Sequence, residues 1–207
     1  MKNQITPYKT ARPQLDTFTL INCIHHKFPY NLIGHSAVLW KCEATGQLMI
    51  FESTTLNKFS MQSGVQLHAF GGWLNRYPGK VYARIPTFHN HADGIDHDHR
   101  RRRFAEAFIK AQLGSSYPDL KSRTGRLKLY LAAVDFNWFG VDLFQYKGKD
   151  TGIFCTMLDI LFLQYCEIFD IRMNAAEFEP DDLRGNKQDF EENVCLFTDY
   201  ADEIRLK

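Results

Sequence analysis

Three residues that lie far apart in the sequence carry the side chains of a cysteine nucleophile, a base and an orienting carboxylate. Cys155 follows a turn over residues 147–152 and opens an apolar run that predicts a buried helix through Phe169. Thiolates are favoured at a helix N-terminus, because unpaired backbone N–H groups and the helix dipole stabilise negative charge there. His35 precedes one strand-like run, and Glu52 lies on the next. We therefore predict Cys155 as the nucleophile, His35 as the base and Glu52 as the group that orients the imidazole.

Each of these residues also has an ordinary structural interpretation. Cys155 lies in an apolar run, where a cysteine is commonly a small buried hydrophobe. A histidine at a strand end, such as His35, can bond a loop carbonyl, and a carboxylate such as Glu52 can lie solvated on an edge strand. The catalytic interpretation therefore requires that the three side chains meet in the folded chain.

A predicted β-hairpin brings two of the three residues together. The strand-like runs 36–42 and 48–53 flank a five-residue connection that contains Gly46. A register symmetric about that connection pairs Glu52 with Ala37, and strand alternation puts Ala37 on the same face as His35. A shift of one residue would move Glu52 to the other face.

The rest of the chain favours an α+β fold. Strands and helices are largely segregated along the sequence, which argues against a doubly wound sheet. We predict five or six strands, a helix over 100–113 that is closed by Gly114, and the helix that begins at Cys155. Residues 1–12 are expected to form an extended N-terminal arm, and residues 13–207 a single domain. The predicted strands are 16–24, 36–42, 48–53, 64–70, 80–85 and 194–198, and 71–79 and 86–99 are expected to be loops.

Composition and cysteine usage narrow the class of protein. The 207 residues carry a formal net charge of +1, so no overall field favours nucleic acid or a membrane surface. Five cysteines without a CxxC pair suit neither a disulfide framework nor a zinc knuckle. The other four cysteines lie in apolar runs and are expected to be core residues: Cys23, Cys42, Cys166 and Cys195. With no predicted signal peptide or transmembrane segment, a cytoplasmic protein is expected, and the oligomeric state is left open.

The order of these residues along the chain resembles that of a known superfamily. The matching stretches are Leu15-Asp16, Gly34-His35-Ser36-Ala37-Val38-Leu39, Glu52, a Trp-containing loop, Leu113-Gly114, Tyr117-Pro118-Asp119 and Phe154-Cys155-Thr156. This set resembles the circularly permuted branch of the NlpC-like papain-fold superfamily, which includes the YiiX-like cysteine hydrolases and, more distantly, lecithin–retinol acyltransferase. In that branch a histidine on a strand precedes the cysteine at a helix start.

The resemblance implies a fold, an activity and further site residues. It implies a papain-like antiparallel sheet packed on the cysteine-bearing helix, and a thiol hydrolase that acts through an acyl-enzyme without a cofactor. Tyr117 and Thr156 would line the substrate or oxyanion site. Peptides, cell-wall peptides, lipid esters and acyl amides are the substrates implied. Cys155-Thr156-Met157 stands where the family has Cys-Ser-Glu, so a catalytically silent papain-fold module that binds a peptide or lipid remains an alternative.

A second alternative is a metal-binding protein. His89, His91, His97 and His99 lie within eleven residues together with three aspartates. Alternating histidines on an extended chain point the same way, as a zinc or other divalent site needs. A solvated polar loop that leads into the basic run Arg100–Arg103 explains the same pattern. We therefore predict no metal, with these four histidines as the candidates if one is bound.

Overall fold

A six-stranded antiparallel sheet forms the centre of the protein. The computed structural model describes residues 5–25, 34–54, 63–89, 97–116, 153–184, 188–194 and 198–207. In sequence order, the strands are β1 (Leu20–His25), β2 (His35–Lys41), β3 (Leu48–Thr54), β4 (Gly64–Ala69), β5 (Gly79–Arg84), β6 (Pro86–Phe88), β7 (Thr198–Tyr200) and β8 (Ile204–Arg205). The main sheet has the order β4-β3-β2-β1-β5-β8, and β6 pairs with β7 in a separate two-stranded sheet. The α+β class is therefore confirmed.

Helices cover both faces of this sheet. Among the described residues, the α-helices are α1 (Tyr8–Ala11), α2 (Phe70–Arg76), α3 (His97–Gln112), α4 (Cys155–Tyr165) and α5 (Gln188–Glu192). One core contains α3, α4 and the inward side chains of Val38 and Phe51. The other core lies on the opposite face, where α2 packs on Ala37 and Ile50. The strands in the middle of the sheet are thus buried on both sides.

The β2–β3 hairpin forms in the predicted register. Val38 pairs with Phe51 and Leu39 with Ile50, and continuing this register places Ala37 opposite Glu52. The turn closes through a backbone hydrogen bond from Cys42 to Gln47 and another from Gly46 to Cys42. Gly46 has φ +65°, a left-handed conformation that an L side chain adopts less readily. The hairpin therefore fixes which side chains of the two strands share a face.

Several other elements differ from the sequence-based expectation. Residues 8–14 form α1 and a short 3₁₀ helix rather than an extended arm, because this turn buries Ala11 and Leu15 against the sheet. The expected loop over 71–79 contains most of α2. The predicted loop over 86–99 contains the short strand β6, and α3 begins earlier than expected, at His97.

The ends of two predicted strands also change. The first strand begins at Leu20 rather than at residue 16, because residues 17 and 18 form a turn with Phe18 at φ +71°. The last predicted strand, 194–198, is replaced by an isolated bridge at Val194 and by β7. Residues 195–197 lie outside the described residues. Strand β8 was not predicted, because it is only two residues long and its pairing with β5 is non-local.

Within the described ranges, none of the helices is both long enough and apolar enough to cross a lipid bilayer.

Gly64 is required where β4 meets the end of α3. Its φ is +112°, and a Cβ at this position would lie 2.3 Å from the backbone oxygen of Ser115. That oxygen accepts a hydrogen bond from the Val65 N–H at 2.8 Å, so it cannot move away freely. Close approach of these two backbone segments joins the edge of the sheet to the helix that packs on it.

We expect Gly64→Ala to lower the free energy of unfolding by at least about 2 kcal/mol, through backbone strain and the clash together. The matched control is Gly46→Ala, since Gly46 also has positive φ but no neighbouring atom within 4 Å. The control should cost about 1 kcal/mol. Equal losses of stability in the two variants, measured by urea denaturation, would contradict the clash.

Candidate functional site

His35 and Glu52 form a close pair at one end of the hairpin. The His35 Nε2 atom lies 2.7 Å from Glu52 Oε2. The side chain of His35 is 16% exposed and that of Glu52 is 4% exposed, so the carboxylate is shielded from solvent while the imidazole remains partly accessible. Because Glu52 occupies Nε2, the other ring nitrogen, Nδ1, remains for a second partner. This is the arrangement that an orienting carboxylate and a base require.

Trp73 holds the second oxygen of this carboxylate. Its indole Nε1–H donates to Glu52 Oε1 at 2.9 Å, and the buried ring stacks on Tyr77 at 4.8 Å between centroids. His68 Nε2 lies 3.9 Å from the same oxygen and 2.9 Å from Gln66 Oε1. Sequence reasoning singled out neither residue. The apolar spacing of Phe70, Trp73, Leu74 and Tyr77 indicates α2, but Gly71-Gly72 obscured that pattern.

Cys155 is the first residue of α4, as predicted. The preceding residue, Phe154, has extended backbone angles, so the helix begins sharply at the cysteine. Two hydrogen bonds fix the approach to this point. The Ile153 N–H donates to the Ser116 carbonyl at 2.9 Å, and the Ser53 hydroxyl donates to the Ile153 carbonyl. The N–H groups of the first turn have no partner within the helix and carry its positive dipole end.

The thiol of Cys155 lies beside the imidazole of His35. Burial would raise the pKa of Cys155, but the hydrogen bond and the positive charge of His35 outweigh it and lower the pKa to about 7. The Ser36 backbone N–H and the Thr156 hydroxyl lower it further. The sulfur therefore loses its proton more readily than an ordinary cysteine does.

The pKa of the His35 imidazole changes in the opposite direction to that of the thiol. Burial would lower the pKa of His35, but its interactions with Cys155 and Glu52 raise that pKa well above the usual value. A lowered thiol pKa beside a raised imidazole pKa favours a thiolate–imidazolium pair. Such a pair supplies a charged nucleophile and a proton for a leaving group at the same time.

The sulfur and the imidazole approach each other at the ends of their elements. Helix α4 packs on the face of the sheet that carries Val38 and Phe51, whereas strand alternation assigns His35 and Glu52 to the α2 face. Cys155 begins α4 and His35 begins β2, so the two side chains meet where the strand starts rather than across it. Both faces of the sheet thus contribute to one site.

The family resemblance also placed Thr156 and Tyr117 in the site. Thr156 is fully buried, and its Oγ1 lies 3.9 Å from the Cys155 sulfur. Its hydroxyl is therefore within reach of the sulfur, and the expected substrate or oxyanion role of Thr156 stays a prediction. Tyr117 lies outside the described residues.

The histidine-rich loop is only partly described, and His91 is outside the described part. His89 Nε2 lies 2.5 Å from Asp199 Oδ2 on the surface. His97 and His99 belong to α3, so the expected alternation on an extended chain is wrong for them: residues two apart on a helix point in different directions. Among the residues that the structure describes, no group of three or more metal-binding side chains comes together.

The basic run Arg100–Arg103 forms the first part of α3. Arg102 bonds Asp16 at 3.0 Å and Asp98 at 2.9 Å, and Arg100 pairs with Glu167. Arg101 is buried over the ring of Phe88. Arg100 and Arg102 are thus paired with carboxylates of the protein, as expected for the start of a surface helix.

The remaining cysteines are not all core residues. Cys23 and Cys166 are buried, and burial raises the pKa of each. Cys42, expected to be buried, is partly exposed because it lies at the end of β2 in the hairpin turn, and hydrogen bonds from Thr45 lower its pKa. Cys195 lies outside the described residues. Cys42 would therefore compete with Cys155 in a test of thiol reactivity.

No protein-family model matches this chain, and a search of the curated proteins finds no match. A functional site is therefore inferred from the geometry around Cys155, His35 and Glu52, together with the order of the matching stretches in the sequence.

Iodoacetamide should modify Cys155 at pH 6, because its pKa of about 7 leaves a substantial thiolate fraction. Relative to an ordinary thiol near pKa 8.5, this is roughly thirtyfold more thiolate at that pH. His35→Ala should slow the labelling by more than about tenfold, since burial then raises the thiol pKa without compensation. Glu52→Gln should have a smaller effect, because it leaves the imidazole in place.

Timed alkylation with peptide mapping from pH 5 to 9 measures these rates. The experiment uses a Cys42→Ser background, because Cys42 is partly exposed and its pKa is also lowered. If Cys155 labels slowly at pH 6, at the same rate with and without His35, the two side chains do not form an ion pair.

Trp73→Phe removes the indole donor to Glu52 while it keeps an aromatic ring in α2. A carboxylate that loses one hydrogen bond holds the imidazole less firmly, so the rate of Cys155 alkylation at pH 6 should fall by about threefold to tenfold. Trp40→Phe is the matched control, because Trp40 packs in the other core. A similar loss in both variants would assign the effect to general packing instead.

Proposed function

We propose that the protein is a thiol hydrolase that cleaves an amide or ester bond through an acyl-enzyme. Cys155 is the nucleophile, His35 is the general base and acid, and Glu52 orients the imidazole. The observation that carries this proposal is the interaction of the buried Cys155 thiol with His35, which is itself bonded to Glu52 at 2.7 Å. The combination of an activated sulfur and an oriented imidazole is the machinery of acyl transfer.

In the first half-reaction, the Cys155 sulfur attacks the substrate carbonyl carbon, and the carbonyl oxygen becomes an oxyanion. The imidazolium of His35 then donates its proton to the leaving amine or alcohol as the carbon–heteroatom bond breaks, which leaves a thioester on Cys155. In the second half-reaction, neutral His35 takes a proton from water, and the hydroxide adds to the thioester. Collapse of this intermediate releases the carboxylic acid and regenerates the thiolate–imidazolium pair.

The start of α4 supplies the electrostatic part of this mechanism. The backbone N–H of Cys155 is the first of the helix, so it has no acceptor within α4 and lies beside the carbon that the sulfur attacks. A donor at this position stabilises the developing oxyanion more than the neutral carbonyl. The dipole of α4 acts in the same direction.

The permuted NlpC-like resemblance supports the same assignment. A histidine on a strand that precedes the cysteine at a helix start is the order found in that branch, and an antiparallel sheet with a cysteine-bearing helix packed on it agrees with the fold that the branch implies. We extend the proposal to a permuted papain-like fold. The substrates implied by the resemblance are peptides, including cell-wall peptides, lipid esters and acyl amides.

One observation favours a second candidate, a catalytically silent module that binds a peptide or lipid at the same site. Cys155 is only 6% exposed, so little of the nucleophile can be reached without movement of its surroundings. In a silent module the thiol would pack against its ligand and form no covalent bond with it. Acylation of the sulfur separates the two functions.

The test is acyl-enzyme formation with p-nitrophenyl esters of short and long acyl chains and with peptide p-nitroanilides. Intact-mass spectrometry after rapid acid quench should find one added acyl group, and peptide mapping should place it on Cys155. Cys155→Ala should form no adduct, and His35→Ala should reduce the acylation rate by at least about a hundredfold. Cys42→Ser is the matched control and should acylate at the wild-type rate.

The pH dependence of acylation follows from the two shifted groups. The rate should rise as the thiol loses its proton, with an apparent pKa of about 7. It should fall again only at alkaline pH, because the raised pKa of His35 keeps the imidazolium in place above neutrality. Absence of any adduct across ester and amide probes, in protein that labels normally with iodoacetamide, would favour the silent module.

A further inference from the structure

A group of buried polar side chains lies next to the Cys155 sulfur in the protein interior. The Thr156 Oγ1 atom is 3.9 Å from the sulfur, and the Ser36 hydroxyl donates to that oxygen at 3.3 Å. Asp159 follows one helical turn after Cys155, on the same side of α4. Ser36, Thr156 and Asp159 are all 0% exposed, so solvent cannot supply their hydrogen bonds.

Asp159 is the unexplained member of this group. Within the described part of the chain, neither of its carboxyl oxygens has a hydrogen-bond partner of normal geometry. The Ser36 hydroxyl is close enough to affect the Asp159 carboxyl as a hydrogen-bond partner. A buried carboxylate without partners costs several kcal/mol, whereas a carboxylic acid costs far less and has a proton to donate. An aspartate in this place therefore calls for a functional reason.

Counting protons gives the direction of the hydrogen bonds. Each hydroxyl has one proton, so if Thr156 donates to the sulfur, Ser36 must be the donor in the hydrogen bond between Ser36 and Thr156. Ser36 then has its proton committed to Thr156, and its oxygen is free to accept from a protonated Asp159. An ionised Asp159 would instead attract the Ser36 proton, and the donation to Thr156 would be lost.

We propose that Asp159 is a positioning residue that stays protonated and directs a buried chain of donors, through Ser36 and Thr156, onto the Cys155 thiolate. This inference rests on the proposed function, since it assigns the chain the task of stabilising the nucleophile of that reaction. None of the three side chains touches the substrate. They act on the sulfur from the buried α4 face of the sheet, while His35 acts on it from the α2 face.

The surroundings of Asp159 favour its neutral form. Burial raises the pKa of Asp159 well above the usual value, and the nearby Cys155 and Glu52 raise it further, while Ser36 and His35 oppose this. Cys23 on β1 and Tyr200 on β7 are other titratable groups that are close enough to interact electrostatically with Asp159. The one cation among these groups, His35, is already paired with Glu52 and the Cys155 sulfur.

The test measures the apparent pKa of the Cys155 thiol from the rate of iodoacetamide labelling against pH, in the Cys42→Ser background. Thr156→Val and Ser36→Ala each interrupt the chain, so each should raise the thiol pKa by about half a unit to one unit. At pH 6 this corresponds to roughly threefold to tenfold slower labelling. Asp159→Leu removes the terminal donor and should produce a shift in the same direction.

Asp159→Asn is the matched variant, because its amide N–H replaces the acid proton as a donor to Ser36. It should keep the wild-type thiol pKa. If Asp159 acted only through packing, Asp159→Asn and Asp159→Leu would be expected to give the same thiol pKa. If Asp159→Asn and Asp159→Leu shift the pKa equally, or if Thr156→Val leaves it unchanged, the chain does not act on the thiolate. A different result would contradict the proposed function: no labelling of Cys155 at low pH in the parent protein, or labelling whose rate does not depend on His35.

Stability provides a measurement that does not depend on the thiol. A carboxyl whose pKa is raised in the folded state loses stabilisation as pH rises from its unfolded value near 3.9 to its folded value. Asn at this position has no such dependence. The melting temperature of Asp159→Asn should therefore exceed that of the parent by an amount that grows from pH 5 to pH 8. A difference that is constant with pH, or a less stable variant, would mean that Asp159 is ionised and hydrogen-bonded, which would overturn the proposal.

Discussion

The site depends on a balance between the burial of Cys155 and the charge of His35. Burial alone would make the thiol a weaker acid, and the imidazolium is the main group that reverses this effect. The imidazolium in turn depends on Glu52, and the second oxygen of Glu52 depends on the indole of Trp73. The proposed nucleophile at the start of α4 is therefore connected, through His35 and Glu52, to a tryptophan that packs on the other face of the sheet.

The sheet makes this long connection rigid. Strands β2 and β3 are buried on both faces, so most of their side chains have a fixed place in one core or the other. The α2 face carries the imidazole and the carboxylate, and the α4 face carries the Ser36 hydroxyl beside Thr156 and Cys155. Because His35 lies on β2 and Glu52 lies on β3, a change of the β2–β3 register would separate the imidazole from the carboxylate.

Two buried ionisable side chains, Arg84 and Asp159, differ in how well they are paired. Arg84 is also fully buried, but it donates to the Leu183 carbonyl at 2.9 Å, pairs with Glu191 and lies over the rings of Phe190 and Tyr200. This guanidinium is satisfied by its surroundings and has a structural role. Asp159 has no comparable set of partners: among the described residues, it is the one buried side chain with two polar atoms that both lack a hydrogen bond, and it lies one helical turn from Cys155.

The sequence by itself determined the α+β class, the hairpin register that pairs the regions of Ala37 and Glu52, and the helix that begins at Cys155. These features follow from local signals, since strand alternation, a glycine-containing turn and an apolar run act over a few residues. Cys155, His35 and Glu52 could be chosen as candidates because few side-chain types perform acyl transfer. Their residue types alone could not show that they meet.

Only the tertiary structure decided which groups surround the sulfur. Trp73, Ser36 and Asp159 act across distances that no local pattern encodes, since Ser36 and Thr156 are 120 residues apart in the sequence. The two glycines in α2 concealed the helix that carries Trp73, and packing against the sheet overrides their low helix propensity. The charge of Asp159 within an apolar helix was visible in the sequence, but its lack of partners depends on what the folded chain places around it.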